Sequence, residues 1–243
     1  MTELEWNALF PLHFGLGERR YSLTLHQADD PARAELEAFV HDRFEQAHDA
    51  DVHHFLPELL ALRDATGQLT AVAGMRVAAS GPLFLERYLD ASLEQSVAQA
   101  VGRPIDRVEL VEVGNLSSLN AGNARLIIIA VTWLLAARDL RWVSFTGAAG
   151  LINSFRRLGL EPVQLAEADP ERLGGDGANW GSYYALQPRR RPRPTHRGDD
   201  HGAPGRQRPP AQQAGRRPGS DPAPAPGAAA GGLNRLRQSA AAG

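Results

Sequence analysis

Hydrophobic and polar positions change their period along this chain, and each change marks an element. Residues 21–26, YSLTLH, alternate and predict a first strand. Asp29-Asp30-Pro31 is a helix-start signal with proline near the first turn. Leu36, Phe39, Val40 and Phe44 then share one side at helical spacing, so a helix is expected to about Asp49. Leu56 to Arg63 and Leu69 to Ala79 are apolar runs either side of Asp64-Ala65-Thr66-Gly67, a hairpin pattern. Gly74 interrupts the second run, which predicts a bulge or a close backbone approach. Arg76 follows two residues later on the same face. Ser80-Gly81-Pro82 ends that strand, and Leu83–Leu89 and Leu93–Ala100 are expected to be helical.

The centre of the pattern is Arg107 to Leu140. Arg107 to Val113 alternates and is rich in Val, so it suits a strand. Gly114 to Gly122 is Gly, Asn and Ser, which suits a loop, and Asn123 to Leu140 suits a helix. Trp142–Thr146 reads as a strand, Leu151–Leu158 as a helix closed by Gly159, Val163–Ala166 as a strand, Glu167–Asp176 as a loop and Trp180–Leu186 as a final strand. The order predicts an α/β (α+β layered) fold, a mixed central sheet flanked by helices.

Composition shifts sharply near Pro188. Beyond it lie Pro, Gly, Ala, Arg and Gln with few large apolar side chains, so 188–243 is expected to be a disordered tail. The folded domain is expected over 21–187, with 1–20 as an N-terminal extension. The tail carries 11 Arg and 3 Asp, a net of +8; the whole chain is −2, so the part before the tail is −10. That acidity argues against a nucleic-acid partner. The absence of Cys excludes disulfides, thiolate nucleophiles and Cys-type zinc sites. The N-terminus lacks a secretory pattern, and Leu126–Ala137 is too short an apolar run to span a bilayer. A cytoplasmic protein without a transmembrane segment is expected.

Candidate chemistry centres on Glu112, a carboxylate at the end of the central strand. Desolvation there would raise its pKa toward that of a working base; the alternative is an ion pair with Arg76. Arg76 could hold a carboxylate or phosphate bidentately. Asn115 could orient an acceptor or bond loop backbone. Small loop residues let a ligand approach, and the following helix would aim its N–H groups at an anion. His48, Asp49, Asp51, His53 and His54 form a polar cluster without a helical ligand pair. It is expected to be a solvated loop, with no metal.

Several blocks carry a resemblance. The central unit, with its SLNAGNAR loop, and WVSFTGAAGLINSFRRLGLEPV resemble the GNAT-type acyltransferase fold. That resemblance implies a pantetheine thioester donor, acyl-CoA or acyl-carrier protein. Its arm would lie at Leu116, Ser117, Asn120, Ala121, Gly122 and Asn123, with Asn153 and Phe155 in the second block. GMRVAASGPLFLERYLD and Glu112-Val113-Gly114-Asn115, where Asn replaces an Arg, are similar to the acyl-homoserine lactone (autoinducer) synthases. With FLPELL and NWGSYY added, Tyr21 to Pro188 looks most like the thermostable haemolysin family. The family name implies red-cell lysis. The fold relationship implies an N-acyltransferase with Glu112 as base, Arg76 and Asn115 beside it, a small amine acceptor, and acyl-carrier protein as a partner. Tyr183 or Tyr184 could act as the general acid and Phe84, Leu85 and Trp133 could line an acyl pocket, with ordinary core packing the alternative for both sets. A membrane-active haemolysin and a non-catalytic GNAT-like binding protein are the alternatives.

Overall fold

Strand and helix residues follow the apolar pattern closely in the first two thirds of the chain. The computed structural model describes residues 3–184 and 229–235. Eight strands, β1 (Leu12–Phe14), β2 (Tyr21–His26), β3 (Glu58–Arg63), β4 (Leu69–Val77), β5 (Leu110–Ser118), β6 (Trp142–Ala148), β7 (Val163–Glu167) and β8 (Ala229–Arg235), form one sheet in the order β1-β2-β3-β4-β5-β6-β8-β7. Neighbouring strands are antiparallel except β5 and β6. The helices are α1 (Glu3–Asn7), α2 (Arg33–His48), α3 (Leu93–Val101), α4 (Ala121–Ala137) and α5 (Ala149–Arg157). The expected fold class, a mixed α/β sheet with flanking helices, is the one observed. The described residues all fall within one compact unit.

Strand alternation sorts the core into two faces. Leu60, Leu62, Ala73, Met75 and Val111 pack under α4 through Ile127, Val131, Leu134 and Leu135. On the other face Leu59, Ala61 and Val72 meet Leu36 and Val40 of α2. Beside them Leu110 and Trp142 meet Leu85 and Tyr88 and, from α3, Leu93 and Val97. Each large side chain so buried contributes about 1.5–3 kcal/mol. Two caps fix helix starts near the sheet. Asn120, extended, accepts from the Asn123 N–H at 2.9 Å and opens α4. Asp30 accepts from the Ala32 N–H and from His26 Nδ1, both at 2.8 Å, just before α2.

Several expected elements take another form in the structure. Within the expected N-terminal extension, 1–20, Trp6 is 0% exposed, edge-on to Phe10 with the Arg138 guanidinium over its ring. Gly114–Ser118, expected as loop, extends β5. Its pairing to β4 shifts register between Val72 and Gly74, and Asn115 takes a φ of 49° there, so the bulge absorbs residues of poor strand propensity. Leu83–Leu89 shortens to a 3-10 segment, Phe84–Tyr88. Trp180–Leu186 is not a strand over its described part: a 3-10 segment, Pro170–Trp180, runs into a turn over 181–184. Gly181 breaks the extended path, because a Cβ there would lie 2.3 Å from the His48 and Asp49 carbonyl oxygens. Within the expected tail, residues 229–235 form β8 between β6 and β7; 188–228 and 236–243 lie outside the described residues, as does Leu186.

Candidate active site

The site is built where one ladder stops. β5 and β6 pair in parallel from Leu110–Trp142 to Val113–Phe145 and no further. Beyond that point β5 continues with β4 to Ser118, and β6 continues with β8 to Ala148. The two strands therefore part beyond Val113 and Phe145.

Glu112 stands one residue before the parting, opposite Arg76 on β4 and Ser144 on β6. It is 5% exposed. Its two carboxylate oxygens accept from the Phe84 and Leu85 N–H groups, each at 2.9 Å. Burial pushes its pKa up to about 7, although those two bonds and the charge of Arg76 favour the ionised form. The carboxyl is thus held in one orientation, without a contacting cation, in the range of a general base.

Arg76 makes no ion pair with it. The guanidinium instead donates to the Pro82 carbonyl at 2.7 Å. Asn115 bonds loop backbone, one of its two expected roles. Its Oδ1 accepts from the Leu56 N–H at 2.9 Å and its Nδ2 donates to the His54 carbonyl at 3.0 Å. It anchors the loop before β3, and Gly74 makes room for it, since a Cβ there would lie 2.7 Å from Asn115 Oδ1.

The expected cofactor residues divide. Asn120, Ala121, Gly122 and Asn123 form the first turn of α4, with Ala121 and Gly122 exposed and Asn123 buried. A helix start of this kind suits an anion. Leu116 packs with the α4-side core. Ser117 is buried, and its Oγ has no hydrogen-bond partner among the described residues. Asn153 is exposed inside α5, which starts at Ala149, so it is no helix cap. Phe155 packs on Phe145, ring centres 4.7 Å apart.

The tyrosines separate as well. The Tyr184 hydroxyl shares a 2.5 Å hydrogen bond with that of Tyr88, whereas Tyr183 donates to the Thr146 carbonyl, just past the parting, at 3.3 Å. Burial pushes both pKa values upward, so both hydroxyls stay protonated. Trp133 is 60% exposed on the outer side of α4 and lines no acyl pocket, while Phe84 and Leu85 carry the amides that hold Glu112.

His54 was missed as a site residue, having been assigned to a solvated loop. It stacks on Phe84 with ring centres 4.8 Å apart. Burial, then the charges of Arg76 and Arg87, lower its pKa, so the imidazole is neutral at physiological pH. The apolar Phe55-Leu56-Pro57 that follows it was the available signal. Arg87 lies over the other partner of that stack, 5.3 Å from the Phe84 ring centre, and is tied to Asp176.

A sequence model of the thermostable hemolysin family matches residues 26–190. Among solved structures, TofI in an apo form is 18% identical over 59% of this chain and 81% of its own, with a TM-score of 0.45. The AHL synthase LasI is 11% identical over 62% and 83%, with a TM-score of 0.44. A GCN5-related N-acetyltransferase from Kribbella flavida is 10% identical over 88% and 98%, with a TM-score of 0.42. No curated protein matches. Among the described residues no helix is long and apolar enough to cross a membrane.

Proposed function

The chain belongs to the thermostable hemolysin family, and from that premise we propose that it is an N-acyltransferase that moves an acyl group from a pantetheine thioester to a small amine. The observation that carries this reading is Glu112: a fixed, buried carboxyl at the parting of β5 and β6, with its pKa near 7. The thioester arm would enter the gap between the strands, with its phosphates at the start of α4. The donor is acyl-CoA or acyl-carrier protein. The amine attacks the thioester carbonyl carbon, and the Glu112 carboxylate takes the proton it sheds, directly or through one water. The carbon–sulfur bond breaks as the tetrahedral intermediate collapses. Tyr183 gives its proton to the departing thiolate; Tyr184 is engaged with Tyr88. Arg76, which among the described residues bonds the Pro82 carbonyl, has further N–H groups for an anionic part of either substrate.

The test is free-thiol release from acyl-CoA and acyl-carrier-protein donors across a panel of amines. Glu112→Gln is expected to lower the turnover about 10²–10⁴-fold, the usual contribution of a general base. A second reading rests on the same carboxyl: both its oxygens are bonded to backbone N–H groups, which suits a structural staple in a non-catalytic binding protein. Full thiol release by a Glu112→Gln protein that melts lower would favour the staple. Lysis of cells by purified chain without any thioester would favour a direct lysin.

A further inference from the structure

The polar cluster after α2 was expected to be solvated loop, and the structure assembles it more tightly than its spacing suggests. His41 is on α2, whereas Asp51 and His53 are on the loop that leads to β3. One oxygen of Asp51 lies 3.0 Å from His41 Nε2 and 2.8 Å from His53 Nε2. The two imidazole nitrogens and the carboxylate oxygen all fall within 4.8 Å of one another. The two rings are 5.7 Å apart, tilted by 36°. Asp42 Oδ1 approaches the other nitrogen of His41 at 3.5 Å. An outer carboxylate on a ligating imidazole is the arrangement that orients histidines toward a metal.

We infer that His41, Asp51 and His53 form a divalent-cation site of the zinc class that fastens α2 to the loop before β3. Two imidazoles and one carboxylate match the nitrogen and oxygen donors zinc takes at about 2.0–2.2 Å. Ligand atoms now bridged by hydrogen bonds need only small rotations of exposed side chains to enclose an ion. A fourth position remains for water. The cluster is also braced from behind. The Asp51 N–H donates to the Asn179 carbonyl at 2.7 Å, which ties the loop to the 3-10 segment Pro170–Trp180. The residue after His53 is His54, stacked on Phe84, whose N–H holds Glu112. An ion at His53 would thereby stiffen one wall of the candidate active site.

The chelator-stripped full-length chain, titrated with Co²⁺, tests this without any thioester or amine, so its outcome is separate from that of the acyl-transfer reading. One equivalent is expected to produce visible d–d absorption that Zn²⁺ abolishes by displacement. His41→Ala and His53→Ala should each weaken binding about tenfold or more, while His13→Ala, at an exposed position far along the sequence, should not. Zn²⁺ should raise the Tm of the parent chain but not that of His53→Ala. No absorption at one equivalent, or binding and Tm shifts unchanged in His41→Ala and His53→Ala, would overturn the site.

Discussion

Two carboxylates accept backbone N–H groups around the same short segment, Glu112 from outside it and Glu86 from within it, and their chemistry diverges. Glu112 accepts from the Phe84 and Leu85 N–H groups; Glu86 accepts from the Leu83 and Leu93 N–H groups. Burial raises the pKa of both. At Glu86 it is outweighed by Arg107, whose guanidinium reaches Glu86 at 2.6 Å and holds it at about 2 together with those amides. At Glu112 no cation makes contact, and the pKa goes up to about 7. Similar hydrogen bonds thus yield a permanent anion at one site and a titratable group at the other. Two things differ: Glu86 is half-buried and touches a guanidinium, whereas Glu112 is buried with no contacting cation, which makes Glu86 structural and leaves Glu112 free to exchange a proton.

Removing that guanidinium tests the comparison most severely. Arg107 also donates to Glu94 and to the Ala78 and Gly81 carbonyls. Arg107→Ala should cost about 1–3 kcal/mol in chemical denaturation, the usual worth of hydrogen bonds to a charged group at a half-buried site, and should raise the pKa of Glu86.

Stability against pH sharpens it next. The Glu86 pKa is depressed, so its contribution is present above about 4.5 and is lost as pH falls toward about 2. The Glu112 pKa is raised, so the folded state keeps a proton that the unfolded chain has shed. Its term therefore lowers stability as pH climbs from about 4.5 to about 7. Melting curves should show Glu112→Gln gaining on the parent chain across that window, and Glu86→Gln losing ground below neutrality as pH rises from 2 to 5. Parallel curves for the two variants would erase the distinction.

Smaller effects come from the surroundings of Glu112. Gly74→Ala should displace Asn115 from Leu56 and destabilise the fold by about 1–2 kcal/mol, the cost of a lost buried hydrogen bond. Denaturant midpoints check this. Arg76→Gln removes the nearest cationic influence on Glu112, so the carboxyl should titrate slightly higher, by a fraction of a unit in an NMR titration.

Much of this was readable in the residues, for physical reasons. β3 and β4 read as continuous apolar runs because both their faces are buried, and α2 and α4 are apolar where they pack on the sheet. Glu112 was legible as an acid on the central strand, although β5 begins at Leu110 and runs on to Ser118 so that Glu112 lies near its start, and Gly74 was legible as a close approach. Its partners were not, because the Phe84 and Leu85 amides lie 28 and 27 residues away in sequence. The second half of β5 escaped because Gly114, Asn115, Ser117 and Ser118 have loop composition, and only the ladder to β4 makes them strand. Trp180, Tyr183 and Tyr184 read as strand aromatics. Contacts with Phe44, Phe84 and Tyr88 place them in a cluster instead. β8 escaped because its Gly- and Ala-rich composition has no strand signal; only pairing with β6 and β7 reveals it. Asn115 was legible as polar and close to the site, but nothing local indicated that both ends of its amide serve the loop before β3.

The most direct measurement is the pH dependence of thiol release by the purified chain, run beside Glu112→Gln. The account predicts that kcat/KM rises through an apparent pKa of about 7 and that the variant loses both the rate and the rise. Release that is flat between pH 5 and 9, or that keeps the same rise in the variant, would contradict it.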